Sequence, residues 1–315
     1  MIAKCKFKTS EKYGKPPSER TIEELLNCGI INLDKPKGPT SHEVVSFVKK
    51  ILNVKKAGHS GTLDPKVTGV LPVATQRATK ILQALLTGSK EYICVMHLHK
   101  KVPLKSVLRV LKEFQGVLYQ RPPLKSAVRR TLRTREIYEL EVLEIQENDV
   151  LMRVNCQAGT YIRKLCYDIG LVLKVGANME ELRRTRASHF REEGSVRLSD
   201  LLDAYIFWSE EGEERYLREC ILPGEVGVLN LKKLWLQDSS VDAICHGAEL
   251  AIPGVAALDD EIVEGEILAL MTLKDELVAL CSAKMSSRQI LKARRGVVAK
   301  TESVIMKRGT YPKSW

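Results

Sequence analysis

The chain has 315 residues, of which 44% are hydrophobic, and it carries a formal net charge of +11. This length predicts two domains with proper cores, and no apolar run is long enough and free enough of charge to span a membrane. The basic residues 1–17 lack the apolar stretch of a secretory signal. Eight scattered cysteines without a CxxC pair favour reduced intracellular thiols over a disulfide framework or a zinc site.

The positive charge is unevenly distributed along the chain. Residues 1–230 contain 38 Lys and Arg against 28 Asp and Glu, whereas residues 231–308 contain 11 of each. The larger, amino-terminal part is therefore the part expected to face a polyanion.

The first 60 residues predict an arm, a strand and a helix. Residues 1–25 are expected to form an extended or mobile arm, since this stretch is mostly polar and contains Pro16-Pro17. Residues 28–34 predict a short strand, followed by a turn. Thr40 and Glu43 fit a capping box, which predicts that a helix begins there.

Residues 58–73, GHSGTLDPKVTGVLPV, are the stretch around which the rest is organised. Glycines, prolines and hydroxyl residues predict a loop that runs into an apolar strand. Asp64 is its single carboxylate, and no other acid lies between Glu43 and Glu91. A carboxylate flanked by lysines is expected to stay ionised and can act as a nucleophile. The alternative, which spacing alone favours, is a turn aspartate that bonds its own backbone.

Strands and short helices alternate in the middle of the chain. The predicted elements are a helix at 79–86, a strand at 90–99, a helix at 104–115 and an antiparallel pair of strands at 137–146 and 149–156. His97 and His99 lie on one strand face at a spacing that can bind metal. Without a third ligand, they are interpreted as surface or half-buried histidines.

Residues 121–135, which we call the basic segment, contain six bases and no acid. The bases are Arg121, Lys125, Arg129, Arg130, Arg133 and Arg135. Such a run is often a solvated face. Its position between strands of the positively charged part favours an arm that grips phosphates.

The remaining residues predict further helices and then a second domain. The predicted elements are a helix at about 162–173, a short helix at 179–186, helical and linker-like residues at 197–222, and strands at 231–236, 248–252, 266–271 and 276–283. We place the boundary near residues 225–231, which gives domains at 26–228 and 229–315.

Three ordered motifs carry a resemblance to a known family. The loop around Asp64 resembles the signature loop of the TruB-type pseudouridine synthases. KPKGPTS at residues 35–41 and GTYIR at residues 159–163 are similar to two further motifs of that family. Residues 238–255 and 296–315 resemble the opening and the close of a PUA domain, a small RNA-binding module.

The resemblance implies an α+β fold. A mixed, largely antiparallel sheet forms the catalytic domain, and a small β-barrel (PUA) domain follows at the carboxyl terminus. The chain looks most like the archaeal and eukaryotic pseudouridine synthases of H/ACA guide ribonucleoproteins, the dyskerin family. The lack of a lysine-rich tail and the ending YPKSW resemble archaeal members. This implies a cytoplasmic protein, or a nucleolar one if the source is eukaryotic.

The resemblance also implies roles for particular residues. Asp64 is expected to be the catalytic residue, Arg163 its ion-pair partner and Tyr92 the active-site tyrosine. The expected substrate contacts are Tyr161 and Leu182 on the two sides of the base, His59 for flipping the nucleotide, and Lys35 in the motif beside the site. The basic segment corresponds to an RNA-clasping loop, and neither a cofactor nor a metal is expected.

The implied function is guide-RNA-directed isomerisation of uridine to pseudouridine in ribosomal RNA, and also in transfer RNA. The expected partners are the guide RNA, the substrate RNA and small accessory proteins, with no membrane. Two alternatives stay open: a stand-alone tRNA pseudouridine synthase and a non-catalytic RNA-binding scaffold. The intact set of Asp64, Tyr92, Tyr161 and Arg163 argues against the scaffold.

Overall fold

A computed structural model describes residues 1–122 and 129–313. Lys125 of the basic segment lies outside the described residues. In the part of the chain that is described, no helix is both long and apolar enough to cross a membrane.

The structure is built from short helices and many strands. The helices are α1 (Ile22–Asn27), α2 (Ser41–Ile51), α3 (Leu82–Leu86), α4 (Leu104–Glu113), α5 (Ile162–Val172), α6 (Leu198–Ile206), α7 (Arg215–Cys220), α8 (Asp238–Cys245) and α9 (Ser287–Lys292). The strands are β1 (Ile2–Ala3), β2 (Gly29–Lys35), β3 (Ala57–His59), β4 (Thr68–Thr75), β5 (Lys90–Leu98), β6 (Gly116–Gln120), β7 (Arg133–Gln146), β8 (Asp149–Cys156), β9 (Ala177–Ala187), β10 (Phe190–Arg191), β11 (Leu222–Pro223), β12 (Lys233–Leu236), β13 (Leu250–Ala251), β14 (Val255–Leu258), β15 (Ile267–Met271), β16 (Leu277–Ala283) and β17 (Val297–Val304).

The larger sheet forms the scaffold of the first domain. Its strands follow the order β11-β2-β4-β9-β5-β8-β7-β6, with β10 beside β9 and β3 beside β4. The β4–β9 pair is parallel and the other pairs are antiparallel. The expected mixed, largely antiparallel sheet is therefore confirmed. Along β5, buried and half-buried residues alternate, because successive side chains of a strand point to opposite faces.

Helices α2 and α5 pack on this sheet and share its core. Thr40 caps α2: its hydroxyl accepts from the Glu43 amide at 3.1 Å, and the Glu43 carboxylate accepts from the Thr40 amide at 2.7 Å. The capping box expected from the sequence is thus present. Val44 of α2 and Leu165 of α5 lie in the same buried cluster as residues of β5. This shared core fixes both helices against the strand that carries Tyr92.

The segment 179–186 is a strand, so the prediction of a helix there was wrong. It belongs to β9, which pairs antiparallel with β5 from Ala177 to Ala187 and parallel with β4 beside Gly69. β5 pairs with it along its length, and β4 and β10 pair with its carboxyl-terminal part, Arg183–Ala187. This long-range pairing overrides the local helix propensity of the Met-Glu-Glu-Leu sequence.

The smaller sheet forms the second domain and also takes up the amino terminus. Its order is β1-β14-β12-β15-β16-β17-β13. The four strands expected from the sequence are present as β12, β13, β15 and β16, whereas β14 and β17 were not anticipated. β1 pairs with β14, and the Lys274 ammonium donates to the carbonyls of Tyr13 at 2.6 Å and Gly14 at 3.1 Å. Residues 1–14 therefore pack along the second domain, whereas the end of the expected arm (residues 1–25) is helical, since α1 begins at Ile22.

A buried apolar cluster joins the two domains. Ile30, Ala74 and Ile81 from the first domain pack with Met271 and Leu277 from the second. Burial of these side chains removes apolar surface from both sheets, which stabilises one relative placement of the domains.

Substitution of Gly69 tests how closely β4 and β9 must approach each other. A Cβ at Gly69 would lie 2.2 Å from the Arg184 carbonyl oxygen, so Gly69→Ala must force the strands apart. Gly38→Ala is the matched control, because its φ of +117° is also positive but no atom lies within 4 Å. Positive φ alone costs about 1–3 kcal/mol. By calorimetry, we expect Gly69→Ala to lower the unfolding temperature clearly more than Gly38→Ala does; equal losses would contradict this account.

Candidate active site

Asp64 and Arg163 form an ion pair although 99 positions separate them in the chain. Asp64 lies in the loop between β3 and β4, and Arg163 lies in the first turn of α5. Nη2 of the guanidinium donates to Oδ2 of the carboxylate, and each side chain is 52% exposed. Exposed pairs contribute about 0–1 kcal/mol to stability. The main effect of this pair is therefore to orient the carboxylate.

The loop is fixed on both sides of Asp64 by short hydrogen bonds. On one side, the buried Ser41 hydroxyl accepts from the Leu63 amide at 2.8 Å and donates to the Leu63 carbonyl at 3.0 Å. On the other side, the Val67 amide donates to the Asp64 carbonyl at 3.0 Å. The loop is thus a rigid support for the carboxylate.

Lys35 takes a different position from the expected one. Its side chain is fully buried, and its ammonium donates to the carbonyls of Pro36 at 2.9 Å, Pro65 at 3.3 Å and Val67 at 2.9 Å. Burial lowers the pKa of Lys35, and the charge of Asp64 partly offsets that effect. Lys35 therefore supports the loop from behind and does not line the cavity beside Asp64.

A cavity of about 780 Å³ adjoins the ion pair, and we call it the reaction pocket. The resemblance assigned six residues that line it, namely His59, Asp64, Tyr92, Tyr161, Arg163 and Leu182. They come from separate elements: the Asp64 loop, β3, β5, the start of α5 and β9. A cavity of this size with an apolar wall and one anionic group can hold a small planar ligand.

Arg184 is a buried cation of the pocket lining and was not anticipated from the sequence. Only 1% of it is exposed, and its guanidinium donates to the carbonyls of Val70 at 2.7 Å and Gly61 at 3.2 Å. Burial raises the pKa of Tyr92, and the neighbouring Arg184 charge partly offsets this rise. Burial in turn lowers the pKa of Arg184. The prediction of a helix at 179–186 was wrong, and no sequence signal pointed to Arg184.

Gln120 fixes the backbone of Tyr161 and was also missed. Its side chain is 2% exposed; Oε1 accepts from the Tyr161 amide at 2.9 Å, and Nε2 donates to the Tyr161 carbonyl at 3.1 Å. Burial of a side-chain amide costs little free energy when both its oxygen and its nitrogen are hydrogen-bonded, whereas an unpaired oxygen or nitrogen would be destabilising. The pair thus holds the ring-bearing residue at one position on the pocket wall.

His59 lines the pocket as a neutral imidazole. Burial, with smaller contributions from His42 and Arg184, lowers the pKa of His59 to about 4. Among the described residues, neither ring nitrogen has a hydrogen-bond partner. The His42 ring packs edge-on with its centroid 5.2 Å away. Both nitrogens are buried, so each adds the cost of an unpaired polar atom to the pocket wall.

Lys90 is a second buried cation of the pocket lining. Its ammonium donates to the carbonyls of Leu85 at 3.0 Å, Leu86 at 3.3 Å and Gly88 at 2.6 Å. Burial lowers the pKa of Lys90 to about 8. Leu85 and Leu86 end α3 and Gly88 follows it, so Lys90 connects the end of that helix to the start of β5.

The described bases of the basic segment lie at the surface beside the pocket. Arg121, Arg129 and Arg130 are exposed, and Arg133 is half-buried. Arg135 is also half-buried, and its guanidinium is the nearest group to Gly159 of the GTYIR motif. Arg135 thus packs against the motif that carries Tyr161.

His97 and His99 are each engaged by a neighbour. His97 Nδ1 lies 2.6 Å from Asp149 Oδ1, and His99 Nε2 lies 3.0 Å from Asn178 Oδ1. Over residues 1–122 and 129–313, no group of three or more His, Cys, Asp or Glu is arranged to hold a metal ion.

Family comparisons cover most of the chain. Residues 49–162 match the TruB family pseudouridylate synthase (N terminal domain), and residues 163–229 match the tRNA pseudouridylate synthase B C-terminal domain. Residues 232–305 match the PUA domain, and residues 1–45 match the DKCLD (NUC011) domain.

Whole-chain comparisons agree with these matches. A probable tRNA pseudouridine synthase B from Methanopyrus kandleri is 55% identical over 100% of this chain and 93% of its own. The solved structure of a Cbf5-Nop10-Gar1 complex contains a chain that is 54% identical, with a TM-score of 0.95 over 99% of this chain and 96% of that one. A chain in the structure of an H/ACA RNP bound to a substrate RNA containing 2′-deoxyuridine is 52% identical, with a TM-score of 0.94 over 100% and 96%.

The chain therefore belongs to the TruB family of pseudouridine synthases. Within that family it is of the archaeal dyskerin type, as the DKCLD match and the likeness to Cbf5 structures show. The expected α+β catalytic domain followed by a PUA domain is confirmed.

The low pKa of His59 has a consequence for stability. In the unfolded chain its pKa is about 6.5, so between that value and about 4 the unfolded state binds a proton that the folded state does not. The free energy of unfolding should thus fall as the pH decreases through this window. Urea titrations give the free energy of unfolding at about pH 7 and about pH 5. Between these two pH values, we expect it to decrease less in His59→Gln than in the wild type. His99→Gln, at an exposed histidine, is the control; an unchanged slope in His59→Gln would contradict the assignment.

Proposed function

We propose that this protein isomerises uridine to pseudouridine in RNA as the catalytic subunit of a guide-RNA-directed particle. The observation that carries the proposal is the Asp64 carboxylate, oriented by Arg163 at the wall of a pocket that can hold a pyrimidine. In this reaction the N1–C1′ bond breaks, the base rotates and C5 joins C1′. Nothing is consumed, so the reaction requires no cofactor.

The proposed roles follow from the position of each group. Asp64 starts the chemistry, either by attack on C1′ or by proton abstraction. Tyr161 and Leu182 hold the two faces of an unstacked base, whose extraction costs a few kcal/mol. Burial raises the pKa of Tyr92, which keeps its hydroxyl protonated, so it is suited to pass a proton rather than to remain ionised. His59, which lines the same pocket, contacts the flipped nucleotide.

The proposed partners rest on charge and on likeness. Residues 1–230 carry the positive surplus, and the basic segment provides arginines beside the pocket that can bind phosphates. The similar solved structures are an H/ACA RNP with a substrate RNA and a complex with Nop10 and Gar1. We therefore propose a guide RNA, ribosomal and transfer RNA substrates and small accessory proteins as partners. A cytoplasmic location is proposed from the likeness to archaeal relatives alone.

Asp64→Asn tests the proposed chemistry. The variant retains shape and hydrogen bonding but loses the charge, so we expect tritium release from 5-³H-uridine RNA to fall by roughly 10⁴-fold or more. RNA binding should be largely retained. Asp149→Asn is a matched control. Asp149 has the same 52% exposure and is paired with a side chain, His97, but it lies outside the reaction pocket. Appreciable turnover by Asp64→Asn would refute the role of this carboxylate.

A second candidate is a stand-alone tRNA pseudouridine synthase, which the name of the relatives favours. The two functions differ in their need for a guide. We expect wild-type protein, assayed with the accessory proteins, to modify a guide-matched RNA at least tenfold faster when the guide is present (roughly 1.4 kcal/mol). Equal rates on bare tRNA with and without the guide would favour the stand-alone enzyme. Absence of turnover under every condition would favour the non-catalytic scaffold.

A further inference from the structure

A second cavity lies directly beside the reaction pocket. It measures about 700 Å³, close to the roughly 780 Å³ of the pocket itself. Arg163 lines both cavities, so the guanidinium that orients Asp64 also forms part of the second wall. We call this second cavity the side cavity.

The side cavity combines exposed aromatic rings with cations. Tyr119, on β6, is 69% exposed, and Tyr167, on α5, is 52% exposed. Arg121, Arg130 and Lys164 line the same space, and none of its described lining residues is acidic. Exposed aromatic rings beside a surplus of positive charge are the combination that binds single-stranded nucleic acid, through base stacking and phosphate contacts.

Local contacts hold this arrangement in place. Lys164 is paired with Asp168, and its ammonium lies 4.8 Å from the centroid of the Tyr167 ring. Arg130 Nε donates to the Pro122 carbonyl at 3.1 Å, which keeps the rest of its guanidinium at the rim. The cations are thus positioned by the protein before any ligand arrives, which reduces the entropy lost on binding.

We propose that the side cavity binds the nucleotide directly adjacent to the target uridine, with its base on Tyr119 and Tyr167 and its phosphate at the arginines. The inference rests on the proposed function, because it takes the occupant of the reaction pocket to be a uridine within RNA. The shared Arg163 wall brings the two occupants close together, as consecutive nucleotides of one strand are. Stacking of the neighbour replaces contacts that the RNA loses when the target base leaves its stack.

The test measures whether the tyrosines and the neighbouring base act together. Fluorescence anisotropy gives the Kd of the full-length protein for a labelled RNA with one target uridine and for two versions with an abasic site immediately 5′ or 3′ of it. The variants are Tyr119→Ala/Tyr167→Ala, the ring-retaining Tyr119→Phe/Tyr167→Phe, and Tyr138→Ala. Tyr138 is 43% exposed and lines neither cavity, so it controls for loss of a surface tyrosine.

We expect wild type to lose roughly tenfold in affinity for one of the two abasic RNAs, the magnitude of one base–aromatic stack. The double alanine variant should bind that abasic RNA and the intact RNA alike, whereas the phenylalanine and Tyr138→Ala variants should behave like wild type. A wild type that is insensitive to both abasic sites overturns the proposal. A double alanine variant that still loses roughly tenfold in affinity for the abasic RNA also overturns the proposal. This holds even if that variant binds every RNA more weakly than the wild type does.

Tritium release by the wild type separates this inference from the proposed function. A wild type that is inactive in the presence of guide RNA and accessory proteins, but still distinguishes the abasic RNA, would refute the proposed chemistry and support the side cavity as a binding site. An active wild type with no sensitivity to the neighbouring base would support the chemistry and refute the side cavity.

Discussion

The site depends on two cations that are buried behind the Asp64 loop. Lys35 donates to three backbone carbonyls, and Arg184 donates to those of Gly61 and Val70. A buried charge is costly unless it is paired and hydrogen-bonded. A rearrangement of the loop would remove the Pro65 and Val67 carbonyls from Lys35 and the Gly61 carbonyl from Arg184. The free energy of these hydrogen bonds therefore favours the observed loop conformation.

The second domain is joined to this site by more than a linker. Arg20 forms an ion pair with Glu225 at 2.6 Å, with both side chains largely buried, and the Leu277 amide of the second domain donates to the same carboxylate at 2.8 Å. One acid thus connects the amino-terminal segment, the first domain and the second domain. Together with the apolar cluster around Ile81, this acid fixes the position of the PUA domain against the catalytic domain.

The sequence predicted the features that local chemistry determines. The capping box at Thr40 and the alternation along β5 follow from neighbouring residues, and the ordered motifs located Asp64. The prediction was wrong where pairing between distant residues determines the secondary structure. The residues of β9 have helical propensity, and pairing with β4 and β5 makes them a strand. Arg184 was missed for that reason, and Gln120 because a buried amide has no distinctive pattern in sequence.

Gln120 is the last residue of β6, where the chain leaves the sheet for the basic segment. Its amide group is bonded to both backbone groups of Tyr161. The start of the basic segment and the ring on the pocket wall therefore share one anchor, and displacement of either must move Gln120 or break its hydrogen bonds to Tyr161.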